Sequence, residues 1–86
     1  MKEQERILKA MANQRRLAIV RFLKGRREAS VGDIADAIKL SLKATSKHLG
    51  LLYAADILER EQRSLLMYYR LSNALPRLAG SVIANL

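Results

Sequence analysis

The 86-residue sequence predicts a mainly α chain carrying one small β-hairpin. Three observations predict it. Apolar residues recur at helical spacing through four successive stretches before residue 56. The period then changes, and two runs with β-favouring tyrosines in the second follow, joined by a short turn. A last apolar stretch at helical spacing closes the chain.

The first helix is expected over residues 2–11, with Ile7, Leu8 and Met11 as its apolar stripe. Glu3 and Glu5 sit at its start, where the helix dipole favours negative charge. Asn13 can cap a second helix that carries Leu17, Ile19, Val20, Phe22 and Leu23. Apolar residues this widely spread around a helix imply burial on more than one side. Gly25 can end it by taking the left-handed conformation past the terminus. Arg26, Arg27 and Glu28 then form a charged loop. Ser30-Val31-Gly32-Asp33 matches a capping box, with Asp33 expected to reach back in place of the usual Glu. Val31, Ile34, Ala35 and Ile38 give the short third helix an inner face, and Lys39-Leu40 turns into the fourth. A short helix, a tight turn and a second helix make a helix-turn-helix. The hairpin strands are expected over residues 57–62 and 66–71, with Arg63-Ser64-Leu65 at the tip. Ser72 or Asn73 is expected to cap the last helix, with Pro76 in its first turn, where a missing N–H costs little. No repeat, low-complexity segment or linker interrupts the order, so residues 1–86 are expected to form a single domain.

Composition narrows the function. The formal net charge is +8, which favours a polyanionic partner, nucleic acid before membrane. There is no cysteine, which excludes disulfides, thiolate metal sites and thiol switches. No run approaches the roughly 18 apolar residues of a membrane span. The N-terminus, Met1-Lys2-Glu3-Gln4-Glu5-Arg6, lacks the apolar core of a signal peptide and starts as a natural N-terminus would. A cytoplasmic protein is expected. The basic residues are scattered over all elements instead of forming one face of one helix, which argues against a membrane-surface role. There is no His–carboxylate constellation, phosphate-cradling glycine loop or metal-ligand cluster, so an enzyme is not expected.

The stretch from Leu40 to Leu52 carries the candidate site. Ser41 is a good N-cap, because its hydroxyl can accept from an unpaired first-turn N–H. Thr45, Leu49 and Leu52 recur on one face and should meet the core. Lys43, Ser46, Lys47 and Gly50 recur on the other, which is small, polar and cationic. Two lysines one turn apart suit phosphates or base edges, and small neighbours permit close approach to a groove. The plain alternative is a solvated helix face.

At this point the chain resembles the ArsR/SmtB family of bacterial and archaeal repressors. Residues 8–20, Leu8-Lys9-Ala10-Met11-Ala12-Asn13-Gln14-Arg15-Arg16-Leu17-Ala18-Ile19-Val20, are similar to that family's opening "LKALANPTRLRIL". Val31-Gly32-Asp33-Ile34-Ala35 is similar to its "VGELA". Leu40-Ser41, Ser46 and His48-Leu49 match its "LSQSTVSHHL" helix, and Met67-Tyr68-Tyr69-Arg70-Leu71 the end of its wing, "VYYRL". The fragments cover nearly the whole chain, in order. The resemblance implies a winged helix-turn-helix and a homodimeric repressor of transcription on double-stranded DNA with an inverted-repeat operator. Ser41, Lys43, Ala44, Ser46, Lys47 and His48 would then lie at the DNA. Arg60, Arg63 and Arg70 would contact phosphates from the hairpin, and Arg16 the backbone near the start of the second helix. The resemblance also implies a dimer interface from the first and last helices, with Ile7, Leu8, Met11, Leu75, Leu78, Val82 and Ile83.

The departures from the family are specific. Many members sense metals through a Cys-x-Cys before the recognition helix, or through Asp and His in the last helix. Val31-Gly32-Asp33 holds no thiol, and residues 74–86 contain no Asp, Glu, His or Cys. His48 is the only histidine. Neither a metal site nor a cofactor is expected, and the signal would be a small molecule, a protein partner, or nothing beyond protein concentration. Lys39 and Asp56 stand where the family has glycine; strain is expected at Lys39, while Asp tolerates the left-handed conformation. The wing tip, where the family has a glycine flanked by arginines, reads Arg63-Ser64-Leu65-Leu66. Those leucines would pack under the wing or against a partner. They support a competing reading, a winged helix used as a protein-interaction module with only nonspecific affinity for DNA.

Overall fold

Side-chain caps set three of the helix starts. The computed structural model describes residues 2–86. Helix α1 runs Lys2–Met11 and α2 Gln14–Leu23. Between them, the Asn13 carboxamide oxygen accepts from the N–H groups of Arg15 and Arg16 at 2.9 and 3.1 Å. Gly25 takes φ +82° past the end of α2, as expected. Strand β1, Ala29–Ser30, leads directly into α3, Val31–Ile38. Helix α4 spans Leu42–Ala54, strands β2 and β3 span Leu58–Arg63 and Leu66–Leu71, and α5 spans Arg77–Ala84.

The sheet has one strand more than the sequence suggests. Ala29 pairs with Tyr69 and Ser30 with Tyr68, so β3 is the central strand in the order β1-β3-β2. A two-residue strand carries no period to read, and its partner lies some forty positions on. The pairing joins the helix-turn-helix to the hairpin. It also changes the cap of α3. The Ser30 hydroxyl accepts from Asp33 N–H at 3.1 Å, but the return bond expected from the Asp33 carboxylate does not form. The Ser30 backbone is drawn into the sheet instead.

The first hairpin strand is displaced by one residue from its expected bounds, while the second keeps the expected residues 66–71. Arg63 is the last residue of β2, opposite Leu66, and Ile57 lies before the strand. Only Ser64 and Leu65 form the turn, with Ser64 at φ 56°. Left-handed backbone also occurs at Lys39, φ 57°, and Asp56, φ 63°, the two positions that stand in place of the family's glycines. Lys39 therefore holds the helix-turn-helix turn in a conformation that costs an L-residue about 1–2 kcal/mol.

Helix α5 begins later than expected. The hydroxyl of Ser72 accepts from Ala74 N–H at 3.0 Å, and Asn73 N–H donates to the Glu59 carboxylate at 2.9 Å. Both residues thus tie off the hairpin and neither caps the helix. Pro76 occupies the N-cap position, without a side-chain bond, and Leu75 precedes the helix.

The core collects Ile7 and Met11 of α1, Ile19, Val20 and Leu23 of α2, Ile34 of α3, Leu49 and Leu52 of α4, Ile57, Leu58 and Tyr69 of the hairpin region, and Ala79 and Ile83 of α5. Every element except the two-stranded tip contributes, so α4 rests on a continuous apolar base. Thr45 is also fully buried, and its hydroxyl finds no partner among the described residues. Thr45→Val keeps the shape and removes the orphaned hydroxyl. It should raise stability by about 1 kcal/mol. The check is the urea midpoint at unchanged slope; a lower midpoint would contradict the burial of an unpaired hydroxyl.

Candidate nucleic-acid interface

The core dictates which face of α4 is left for a ligand. Thr45, Leu49 and Leu52 are buried on one side. Lys43, Ser46 and Lys47 are exposed on the other, Ser41 is exposed at the cap, and Ala44, His48 and Gly50 are half-buried at the margins. The Ser41 hydroxyl accepts from Ala44 N–H at 3.1 Å, so Ser41 performs the capping role read from the sequence. Helix α4 contains no acidic residue, and among the described residues no carboxylate pairs with Lys43 or Lys47. The face is therefore a cationic surface with its charges available to a ligand.

Two arginines fix the orientation of this helix. Arg16 donates through Nε to the carbonyl of Ala10 and through Nη2 to that of Lys9 at 3.2 Å. Its Nη1 lies 3.1 Å from Nδ1 of His48. A guanidinium only donates, so His48 accepts through a neutral Nδ1 and carries its proton on Nε2. Burial, then the charges of Arg16, Arg15 and Lys47, push the His48 imidazole below its ordinary value. At the C-terminal end of α4, Arg6 donates to the Ala54 carbonyl at 2.8 Å and contacts Asp56 at 3.3 Å. A cation there also complements the helix dipole. Helices α1 and α2 thus hold the candidate recognition helix at its middle, through His48, and at its C-terminal end, through Ala54.

This geometry redistributes the roles assigned from sequence. Arg16 is engaged with α1 and His48, while its neighbour Arg15, passed over in the sequence, lies exposed at the same helix start. The only signal that marked Arg15 was its adjacency to Arg16. Arg6 was missed as well, because its partners are 48 and 50 positions away.

The wing arginines are not brought to the α4 face as free charges. Register places Glu59, Glu61 and Arg63 on one side of β2, opposite Arg70, Tyr68 and Leu66. Arg70 pairs with Glu59 at 3.2 Å and Glu61 at 3.5 Å. Arg63 pairs with Glu61 at 3.1 Å and also with Glu28, just before β1, whose carboxylate it meets at 2.8 Å through Nη2. Its guanidinium stacks 4.7 Å from the Tyr68 ring centre. The Arg63 hydrogen bonds are the leading cause that holds the Glu28 and Glu61 carboxyls below their ordinary range, and Asn73 N–H does the same for Glu59. Arg60 stacks 3.9 Å from the ring centre of Tyr53 at the end of α4. With three carboxylates against two arginines, the outer face of the wing carries no net positive charge.

The wing leucines do not pack beneath it. Leu65 is 94% exposed and Leu66 54% exposed. With Leu42, 60% exposed, and with Val31, Gly32, Ser46 and Met67, they line a groove of about 360 Å³ between the tip and the start of α4.

The residues assigned to a dimer interface separate into two groups. Ile7, Met11 and Ile83 lie in the core of the protomer, while Leu8 is 52% exposed and Leu75, Leu78 and Val82 are half-buried against the core.

A helix turning tightly into a capped, acid-free helix, followed by a hairpin, is the arrangement of known regulators. Residues 11–61 match the family described as "Helix-turn-helix domain". The structure of reduced HlyU from Vibrio cholerae superposes with a TM-score of 0.84 at 32% identity, over 99% of this chain and 85% of that one. The chain belongs to the ArsR/SmtB-like winged helix-turn-helix family. By sequence it is 37% identical to the transcriptional activator HlyU of Vibrio cholerae over 67 residues, 78% of this chain, and it spans 61% of that relative's length. The solution structure of a homodimeric winged helix-turn-helix DNA-binding domain from Mycobacterium bovis, a possible ArsR-family regulator, gives a TM-score of 0.81 at 28% identity, covering 98% and 74% of the two chains. The transcriptional repressor PagR of Bacillus anthracis gives 0.79 at 30%, covering 98% and 92%. The family is one of transcriptional regulators, not enzymes, in agreement with the sequence. Among the described residues no helix is long and apolar enough to cross a membrane.

Proposed function

We propose that the chain is a cytoplasmic, sequence-specific regulator of transcription that binds an inverted-repeat operator in double-stranded DNA as a homodimer. The observation that carries this reading is the α4 face, with Lys43, Ser46 and Lys47 exposed, uncountered by acid and held on a capped helix. Lys43, Ser46 and Lys47 enter the major groove, Ser41, Ala44 and His48 border it, and Arg15 contacts a phosphate in place of Arg16. Arg60, stacked on Tyr53, supports the wing; Arg63 and Arg70 reach phosphates only by exchanging their carboxylate partners.

A homodimer is supported by the exposed Leu8 of α1 and the half-buried Leu78 and Val82 of α5, two helices that pack together, with the half-buried Leu75 just before α5. The Mycobacterium bovis domain is described as homodimeric. Two-fold symmetry sets the half-sites about 34–36 Å apart or a multiple of it. Repression by occupying a promoter is the mode carried forward. PagR is a repressor and HlyU an activator, so in vitro transcription from a bound promoter decides the direction.

Selection from a random duplex library at about 150 mM salt, where nonspecific phosphate binding is weakened, tests the reading. Enrichment of an inverted repeat supports it. Uniform, salt-sensitive binding refutes sequence reading and favours the protein-interaction module. For the dimer, Leu8→Glu is expected to convert dimer to monomer in sedimentation without loss of helix content, since the side chain is exposed in the protomer. An unchanged sedimentation coefficient in a dimeric wild type would remove Leu8 from the interface.

A further inference from the structure

The exposed leucines of the wing are not explained by the cationic face of α4. Leu65 projects from a two-residue turn and is 94% exposed, so the core has no use for it. Single exposed leucines are ordinary, but here Leu65, Leu66 and Leu42 border one groove, and Ser46 of the recognition face lines the same groove. The apolar patch is therefore continuous with the surface proposed to meet DNA.

Geometry restricts what a DNA-bound protein can do with such a tip. With α4 in the major groove, the sugar–phosphate ridge that bounds that groove runs beside the helix. The groove between Leu42 and Leu65 is the concavity available to it, and deoxyribose C–H faces match its apolar lining. The hairpin tip then lies across the ridge, at the minor groove, which is about 6 Å wide and admits a narrow turn but not a helix. An apolar tip gains nothing from phosphates. The charges beside it are already paired, Arg63 with Glu28 and Glu61, and Arg70 with Glu59. Apolar side chains do gain from the minor-groove floor, where they wedge between base steps and bend the duplex.

We propose that Leu65 is an apolar wedge that enters the minor groove beside the recognition helix and opens a base step there, with Leu66 and Leu42 covering the intervening sugars. This rests on the reading of α4 as a major-groove helix. It makes the wing a reader of deformability, favouring flexible pyrimidine–purine steps at a fixed offset from the bases contacted by Lys43 and Lys47.

The test uses the full chain and a duplex of about 30 base pairs carrying the enriched repeat, labelled at both ends for energy transfer. Wild type should shorten the end-to-end distance, consistent with a bend of about 20° or more per wing. Leu65→Ala should weaken binding about tenfold per wing, the loss of one buried leucine at each tip, and relax the bend. The slope of log affinity against log salt should stay unchanged, because no phosphate contact is lost. Leu65→Arg should recover affinity by charge, steepen that slope by about one unit per wing, and leave the DNA straight. Circular dichroism verifies that each variant folds. A straight duplex with wild type, or Leu65→Ala equal to wild type in affinity and bend, overturns the wedge while leaving the α4 reading intact. Loss of self-association in Leu65→Ala without change in DNA affinity also overturns it, and assigns the patch to a second copy of the chain. Failure of the wild type to select any sequence overturns both readings together.

Discussion

Lys43→Ala and Lys47→Ala should each weaken operator binding by roughly 1–3 kcal/mol per half-site, with the fold unharmed. Both side chains are exposed on α4 and, among the described residues, neither is paired with a carboxylate, so truncation removes a contact to DNA and little else. A homodimer presents each lysine twice, so the loss per complex approaches twice that figure. The kind of contact is separable. A lysine that reads a base edge loses affinity for the operator but not for random duplex, and preference at one position of the site relaxes. A lysine on a phosphate weakens both alike, and the salt slope falls by about one unit for each contact removed. Lys43 stands in the first turn of α4 and Lys47 one turn later, so their read positions should be adjacent. Unchanged operator affinity and salt slope in the double variant would remove this face from the interface, whatever sequence the wild type selects.

The parts of this molecule that were legible in the sequence are those fixed within a few residues. Ser41, Asn13 and Ser30 announce their helices because a cap bonds two or three positions ahead. The buried set of Thr45, Leu49 and Leu52 follows from helical spacing alone, and so does the opposite face with its lysines. What the sequence concealed depends on residues brought together from far apart. Strand β1 exists only because Tyr68 and Tyr69 supply its partner. The pairing of Arg63 with Glu28 requires both that strand and the register of the hairpin. The apolar tip was ambiguous for the same reason: a displacement of one residue decides whether Leu65 turns inward or out, and the two-residue turn puts it out. The start of α5 was lost because Ser72 and Asn73, good cap residues in isolation, are taken by their own turn and by Glu59.

Removal of Arg16 should have the largest effect on stability among the polar positions, and it should be felt at the recognition helix. Arg16 supplies hydrogen bonds to two carbonyls at the end of α1, which a helix terminus otherwise leaves unsatisfied, and it steadies His48 on α4. Hydrogen bonds from a charged donor contribute about 1.5–3 kcal/mol, so Arg16→Met, which keeps the apolar stem, should lower the unfolding free energy by about that amount. The same contact makes stability depend on pH. The folded His48 is held below its ordinary value of 6.5, so the unfolded chain binds the proton more readily. Its contribution is complete above that value and is lost as pH falls through the lower folded one. Glu28, Glu59 and Glu61 act in the same direction, but below the ordinary carboxyl value of 4.5, so the two windows are distinct. Urea midpoints taken between about pH 7 and pH 5 should fall with acidification in wild type and change less in His48→Gln. In Arg16→Met the fall should be shallower too, because the nearest of the repelling charges is gone. Equal slopes in wild type and Arg16→Met beside a shallower one in His48→Gln would mean that the histidine titrates without reference to Arg16, and equal slopes in all three would mean that its titration carries no stability.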